Sequence, residues 1–136
     1  MRQPLPDEVV PKLELLLAPA GIELTESRSG TMGAWSARFE NDEFVVVMSQ
    51  DRSGDAVGIG IGSKVRRRSR AQMRGPTWLS ALRGYLEGSP DHHMFSNVEE
   101  QLSWLADHLD ELLVTSFLNS DELNTWKVKA ARRMFG

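Results

Sequence analysis

The sequence predicts an α+β fold, with helices packed on one face of an antiparallel sheet. Three observations predict it. Apolar residues recur at helical spacing near the N-terminus. Alternating, strand-like stretches joined by short turn signals then run from Ile22 to Gly62, and helical spacing returns from Pro76 to the C-terminus. Strands and helices separated along the chain in this way form α+β layers rather than parallel βαβ units. At 136 residues the chain makes a single domain, 1–136.

The first helix is expected from about Asp7 to Ala18, with Val9, Leu13, Leu16 and Leu17 on one face. Pro11 falls in its first turn, where a missing N–H is tolerated, and Pro19 with Gly21 ends it. Four strands follow as a meander. Ile22 and Leu24 alternate with Glu23 and Thr25. After a turn at Ser29-Gly30 and Gly33, Trp35, Ala37 and Phe39 alternate with Ser36, Arg38 and Glu40. Asn41-Asp42 reads as a tight turn. The continuous apolar run Phe44 to Met48 predicts a central strand covered on both faces. Ser53-Gly54 turns the chain into Val57 to Gly62, where apolar residues alternate with three glycines.

Three C-terminal helices complete the reading. Pro76 suits a helix first position, and Trp78, Leu79, Leu82, Tyr85 and Leu86 give an apolar face that Gly88 stops. Ser96 and Glu99 form a capping box before a long helix with Val98, Leu102, Leu105, Leu109, Leu112 and Leu113 on one face. Asn119 breaks it, and Ser120 caps a last helix bearing Leu123, Trp126, Ala130 and Met134.

Composition narrows the chemistry. Hydrophobic residues make up 40% and charged residues 26%, which fits a folded domain rather than a disordered chain. Cysteine is absent, which removes disulfides, thiolate nucleophiles and cysteine-based metal centres together. Asp7, Glu8, Lys12 and Glu14 interrupt the N-terminal apolar patch, unlike the core of a signal peptide. No stretch approaches the ~20 apolar residues of a membrane span. The expectation is a soluble cytoplasmic protein.

Charge is the most unusual property. Lys64, Arg66, Arg67, Arg68, Arg70 and Arg74 put six positive charges and no negative one into residues 64–74. The chain carries a net charge of -3, which leaves 10 basic against 19 acidic residues in the other 125. A like-charged block repels itself and is often an interaction segment. The run reads as a solvated strand-to-helix loop, as a docking site for an acidic protein, or as a nucleic-acid contact through phosphates. No aromatic residue interrupts it, which weakens a base-stacking platform. In the opposite sense, the long helix bears Glu99, Glu100, Asp107, Asp110 and Glu111 with no Lys or Arg before Glu122. That face is a solvated surface, a partner for the chain's own arginines, or a dock for a basic protein.

Other motifs have bland readings. Gly58, Gly60 and Gly62 fail the dinucleotide and phosphate-loop patterns, because Ser63 stands where the next glycine or lysine belongs. They predict close approach by another element, with a ligand on the bare face as the alternative. His92, His93 and His108 show no metal-ligand spacing, and no hydrolase signature is present. No catalytic residue, metal or cofactor is expected.

From Trp78 to Gly88 and from Phe95 to Leu113 the chain reads WLSALRGYLEG and FSNVEEQLSWLADHLDELL. This resembles small single-domain bacterial proteins of unassigned function. It is similar in size and α+β layout to immunity proteins of bacterial toxin systems. The resemblance implies a cytoplasmic protein that binds and blocks one cognate toxin, and it transfers no individual residue's role. The expected function is therefore non-enzymatic protein binding, with nucleic-acid binding through the basic run as the alternative. The candidate contacts are Arg66, Arg67, Arg68, Arg70 and Arg74 in the basic run, and Glu100, Asp107 and Glu111 on the acidic helix.

Overall fold

A computed structural model of the chain describes residues 6–30, 33–50, 57–64 and 76–135. Helix α1 (Pro6–Leu17) leads through a 3₁₀ turn, Ala18–Ala20, into β1 (Glu23–Ser29), β2 (Trp35–Glu40), β3 (Phe44–Gln50), β4 (Val57–Ser63) and β5 (Thr77–Trp78). Helices α2 (Leu79–Leu86), α3 (Val98–Leu112), α4 (Thr115–Leu118) and α5 (Asp121–Phe135) follow. The strands form one antiparallel sheet in sequence order, β1-β2-β3-β4-β5.

The α+β arrangement matches the expectation, with one more strand and one more helix than the sequence reading gave. The extra strand is β5. Residues 77 and 78 are extended and pair with Ile61 and Gly60, so α2 begins at Leu79 instead of at Pro76. Residues 64–76 therefore join two neighbouring antiparallel strands, and the basic run is a β4–β5 connection rather than a strand-to-helix linker. The extra helix is α4, because the long helix stops at Leu112 and a short turn of helix precedes Asn119.

Period-two burial explains the sheet. Trp35, Ala37 and Phe39 of β2, Phe44, Val46 and Met48 of β3, and Val57, Ile59 and Ile61 of β4 share one buried face. Val9, Leu13 and Leu17 of α1, Leu79 and Leu82 of α2, Leu102, Leu105 and Leu112 of α3, Leu118, and Leu123 of α5 belong to the same core. Each fully buried Leu or Phe there stabilises by about 1.5–3 kcal/mol. The expectation that the continuous apolar run of β3 is covered on both faces is met on one face only. Val45 and Val47 on its other face are half-buried, with their side chains beside Gly62 and Gly60 of β4.

Local signals set the boundaries. Gly21 takes the left-handed conformation (φ 72°) that ends the first helical segment, and its N–H bonds to Ala18 O at 2.9 Å. Pro11 lies inside α1 instead of in its first turn, so the helix forgoes one backbone bond there. The Asn41 side chain accepts from Glu43 N (2.8 Å) and Phe44 N (2.7 Å), which makes the β2–β3 turn. Asn97, not Ser96, caps α3, accepting from Glu100 N at 2.8 Å. Ser120 caps α5 by accepting from Leu123 N at 3.1 Å. Met134 on α5 is exposed rather than part of an apolar face, because α5 runs past the core after Ala130.

One side chain completes the sheet. Since β5 is only two residues long, no strand among the described residues lies beside Val57 and Ile59 on the edge of β4 away from β3. Gln101 of α3 fills that place: its amide nitrogen donates to Val57 O (2.6 Å) and its amide oxygen accepts from Ile59 N (3.2 Å). A buried glutamine thus stands in for the missing strand. Among the described residues, no helix is long and apolar enough to cross a membrane.

Candidate functional site

The glycines of β4 lie on the outer sheet face, opposite the helices. In register, Gly60 faces Val47 on one side and Trp78 on the other. A Cβ on Gly58 would sit 3.3 Å from the Trp78 ring. One on Gly60 would sit 3.2 Å from both Pro76 Cβ and Trp78 Cε3, and one on Gly62 3.4 Å from Pro76 Cα. The glycines therefore make room for Pro76 and the indole of Trp78. The close-approach reading holds, and the element that approaches is the returning arm of the same hairpin.

That arrangement decides which tryptophan is available to a partner. Trp35 is buried, and its Nε1 donates to Gln50 Oε1 at 3.1 Å. Trp104 is half-buried between Phe95 and His108. Trp126 is half-buried, donates to Ser89 O (2.6 Å) and meets the rings of Tyr85 and His92. Of the four tryptophans Trp78 alone is exposed, at 43%, beside β4 and in line with Val47 of β3.

Lys127 of α5 supports β5 from the core side. Its Nζ donates to Thr77 Oγ1 at 2.9 Å, and Thr77 is buried. Burial pushes the Lys127 amine below the usual lysine range. Nothing in its sequence neighbourhood marks it, because its partner lies 50 residues away.

Of the basic run, Lys64 is described. Its N–H bonds to Glu43 O (2.8 Å), and its Nζ reaches Asn41 O (3.1 Å) and pairs with Glu40 (3.4 Å). Arg66, Arg67, Arg68, Arg70 and Arg74 lie outside the described residues.

The acidic helix divides into two parts. At its start, Glu99 pairs with Lys12 (2.7 Å) and Glu100 with Arg83 (2.9 Å). The Arg83 hydrogen bond is the main cause holding the Glu100 carboxyl below the usual carboxylate range. Arg83 also lies 4.7 Å above the centre of the Phe95 ring. Glu100 is thus part of the α2–α3 packing. Asp107, Asp110 and Glu111, further along, are exposed and form no ion pair with another described residue.

The histidines are engaged in packing. His92 stacks on Trp126, and desolvation lowers its pKa. His93 pairs with Glu87, and His108 stacks on Trp104 with its Nδ1 2.8 Å from Trp104 O. No group of three potential metal ligands occurs among the described residues. The chain matches no protein-family model, no curated protein and no solved structure.

Proposed function

We propose that the chain is a non-enzymatic binding domain that recognises another protein through Trp78 and the β4–β5 connection beside it. The observation that carries this reading is the exposed indole, seated on bare glycines at the root of a segment holding five arginines. Tryptophan and arginine dominate the energetic centres of protein interfaces. An aromatic ring already fixed on a strand loses little freedom on binding. The fitting partner has an apolar pocket for the indole and carboxylates for bidentate arginine contacts. Asp107 and Glu111 supply a second, acidic contact face; Glu100, held by Arg83, supports that helix rather than reaching outward. Neutralisation of a cognate bacterial toxin is the finer form of this reading.

The test is affinity capture from the native cells with the wild-type chain and with Trp78→Ala, beside a low-salt gel shift on DNA and RNA. One specific acidic protein captured by the wild type, with affinity reduced about tenfold or more by Trp78→Ala, is the expected result. Capture indifferent to Trp78→Ala overturns the reading. A nucleic-acid shift that weakens steeply with salt replaces it with the alternative, polyanion binding by the arginines.

A further inference from the structure

Strand β1 ends the sheet on the side away from Trp78. It is seven residues long, every residue is exposed, and among the described residues it pairs only with β2. An edge strand offers a row of backbone donors and acceptors to another strand, and proteins guard such edges with bulges and charges. A bulge between Leu24 and Glu26 guards the first part of β1. From Glu26 to Ser29 the register with β2 is regular, and the charges there are one of each sign, Glu26 and Arg28, paired with each other on the outer face.

We infer that the Glu26–Arg28 edge pairs antiparallel with the same edge of a second copy, with Ser27 at the two-fold axis. Residues directly opposite in an antiparallel pair share a sheet face. A two-fold axis perpendicular to the sheet must therefore pass through a residue opposed to itself. Centring on Glu26 opposes two carboxylates and draws in the bulge. Centring on Arg28 opposes two guanidiniums. Centring on Ser27 sets Glu26 against Arg28 of the second copy, and Arg28 against Glu26 of the second copy. The result is a square of four alternating charges on one face and small serines on the other. Like charges directly opposite are destabilising and unlike charges favourable, so charge alone selects this register. The surface is independent of the Trp78 face.

The chain has no cysteine, so a single introduced one reports cleanly. Directly opposed residues have Cα atoms about 4.5–5.5 Å apart, within the span of a disulfide. Under mild oxidation Ser27→Cys should form a crosslinked dimer about tenfold faster than Leu15→Cys, an exposed control on α1. In the Ser27→Cys background, Glu26→Arg or Arg28→Glu alone should lower the rate to that of the control. The double exchange, Glu26→Arg with Arg28→Glu, should restore it. Crosslinking of Ser27→Cys at the control rate overturns the inference, whether the edge stays bare or takes another protein's strand. So does a double exchange that fails to recover while circular dichroism shows a native fold.

Discussion

Replacing Gln101 with Met removes the side chain that closes β4 and leaves its shape nearly intact. Two backbone groups lose their partners, Val57 O and Ile59 N, both facing a side chain that is only 9% exposed. A buried donor or acceptor left unpaired costs about 1–3 kcal/mol, so the pair sets a range of about 2–6 kcal/mol. Slight water access at this edge places the expected loss near the lower end, about 3 kcal/mol. For a domain of this size that corresponds to a fall in Tm of roughly 10 °C. Urea unfolding followed by tryptophan fluorescence should show a lower midpoint at unchanged slope. A loss under about 1 kcal/mol refutes the surrogate-strand account. Gln101→Glu separates hydrogen bonding from packing. Its neutral acid donates to Val57 O and accepts from Ile59 N, whereas the carboxylate only accepts. Burial raises the folded-state pKa of such a group above its unfolded value of about 4.3. Its stabilising contribution is then complete below that value and lost as pH rises through the folded pKa. Gln101→Glu should resemble the wild type in acid and the Met variant at neutral pH.

Three further outcomes follow from single side chains. In Gly84→Ala, helix propensity favours Ala by about 1 kcal/mol. The new Cβ, however, runs into the Asp91 carbonyl and lies 3.1 Å from the Trp126 ring, so a net loss of about 1 kcal/mol or more is expected; a rise in Tm contradicts it. Gly60→Ala should push the indole of Trp78 outward, seen as increased acrylamide quenching that vanishes in a Trp78→Phe background; unchanged quenching refutes the packing. Lys127→Met should reveal a pH term. Burial penalises the protonated amine in the folded state, so its folded pKa is below the unfolded one. Between those two values the unfolded chain holds more protons, and wild-type stability rises with pH relative to Lys127→Met. Parallel pH profiles of the two proteins in the alkaline range contradict that sign.

The layers were legible because burial follows periodicity. Trp35, Ala37 and Phe39 alternate in sequence and are buried together, and the turn at Asn41 and the cap at Ser120 are set by side-chain oxygens that accept from backbone N–H groups two or three residues on. What the sequence concealed depends on distant partners. Thr77-Trp78 has no strand period of its own; it is extended because Gly60 and Ile61 offer it an edge. Gln101 looks like one more polar residue on a helix until β4 is placed beside it. The acidic face was visible as a charge pattern, but its division was not. Lys12 and Arg83, which neutralise Glu99 and Glu100, lie 87 and 17 residues away from them. The same distance effect singles out Trp78: all four tryptophans sit in apolar periods, and only the sheet register shows which one faces outward.

The two sides of the sheet are finished in opposite ways, and this bears on how the binding surfaces combine. Beside β5, the remaining edge of β4 is closed by a buried side chain, which prevents strand addition next to Trp78. At β1 no further strand follows among the described residues, and the edge carries one charge of each sign. Four strand intervals of about 4.8 Å separate β1 from β5, so roughly 19 Å lies between the two. A partner seated on Trp78 and a second copy paired at Ser27 therefore occupy different ground. A dimer joined at β1 carries two Trp78 faces on one continuous sheet. Against a partner fixed at high density, the second contact becomes intramolecular, and the avidity exceeds the affinity of one face without any new interaction. The Ser27→Cys crosslinked dimer should accordingly dissociate from such a surface far more slowly than the wild type diluted to monomer. Equal dissociation rates would mean that the two Trp78 faces cannot engage together.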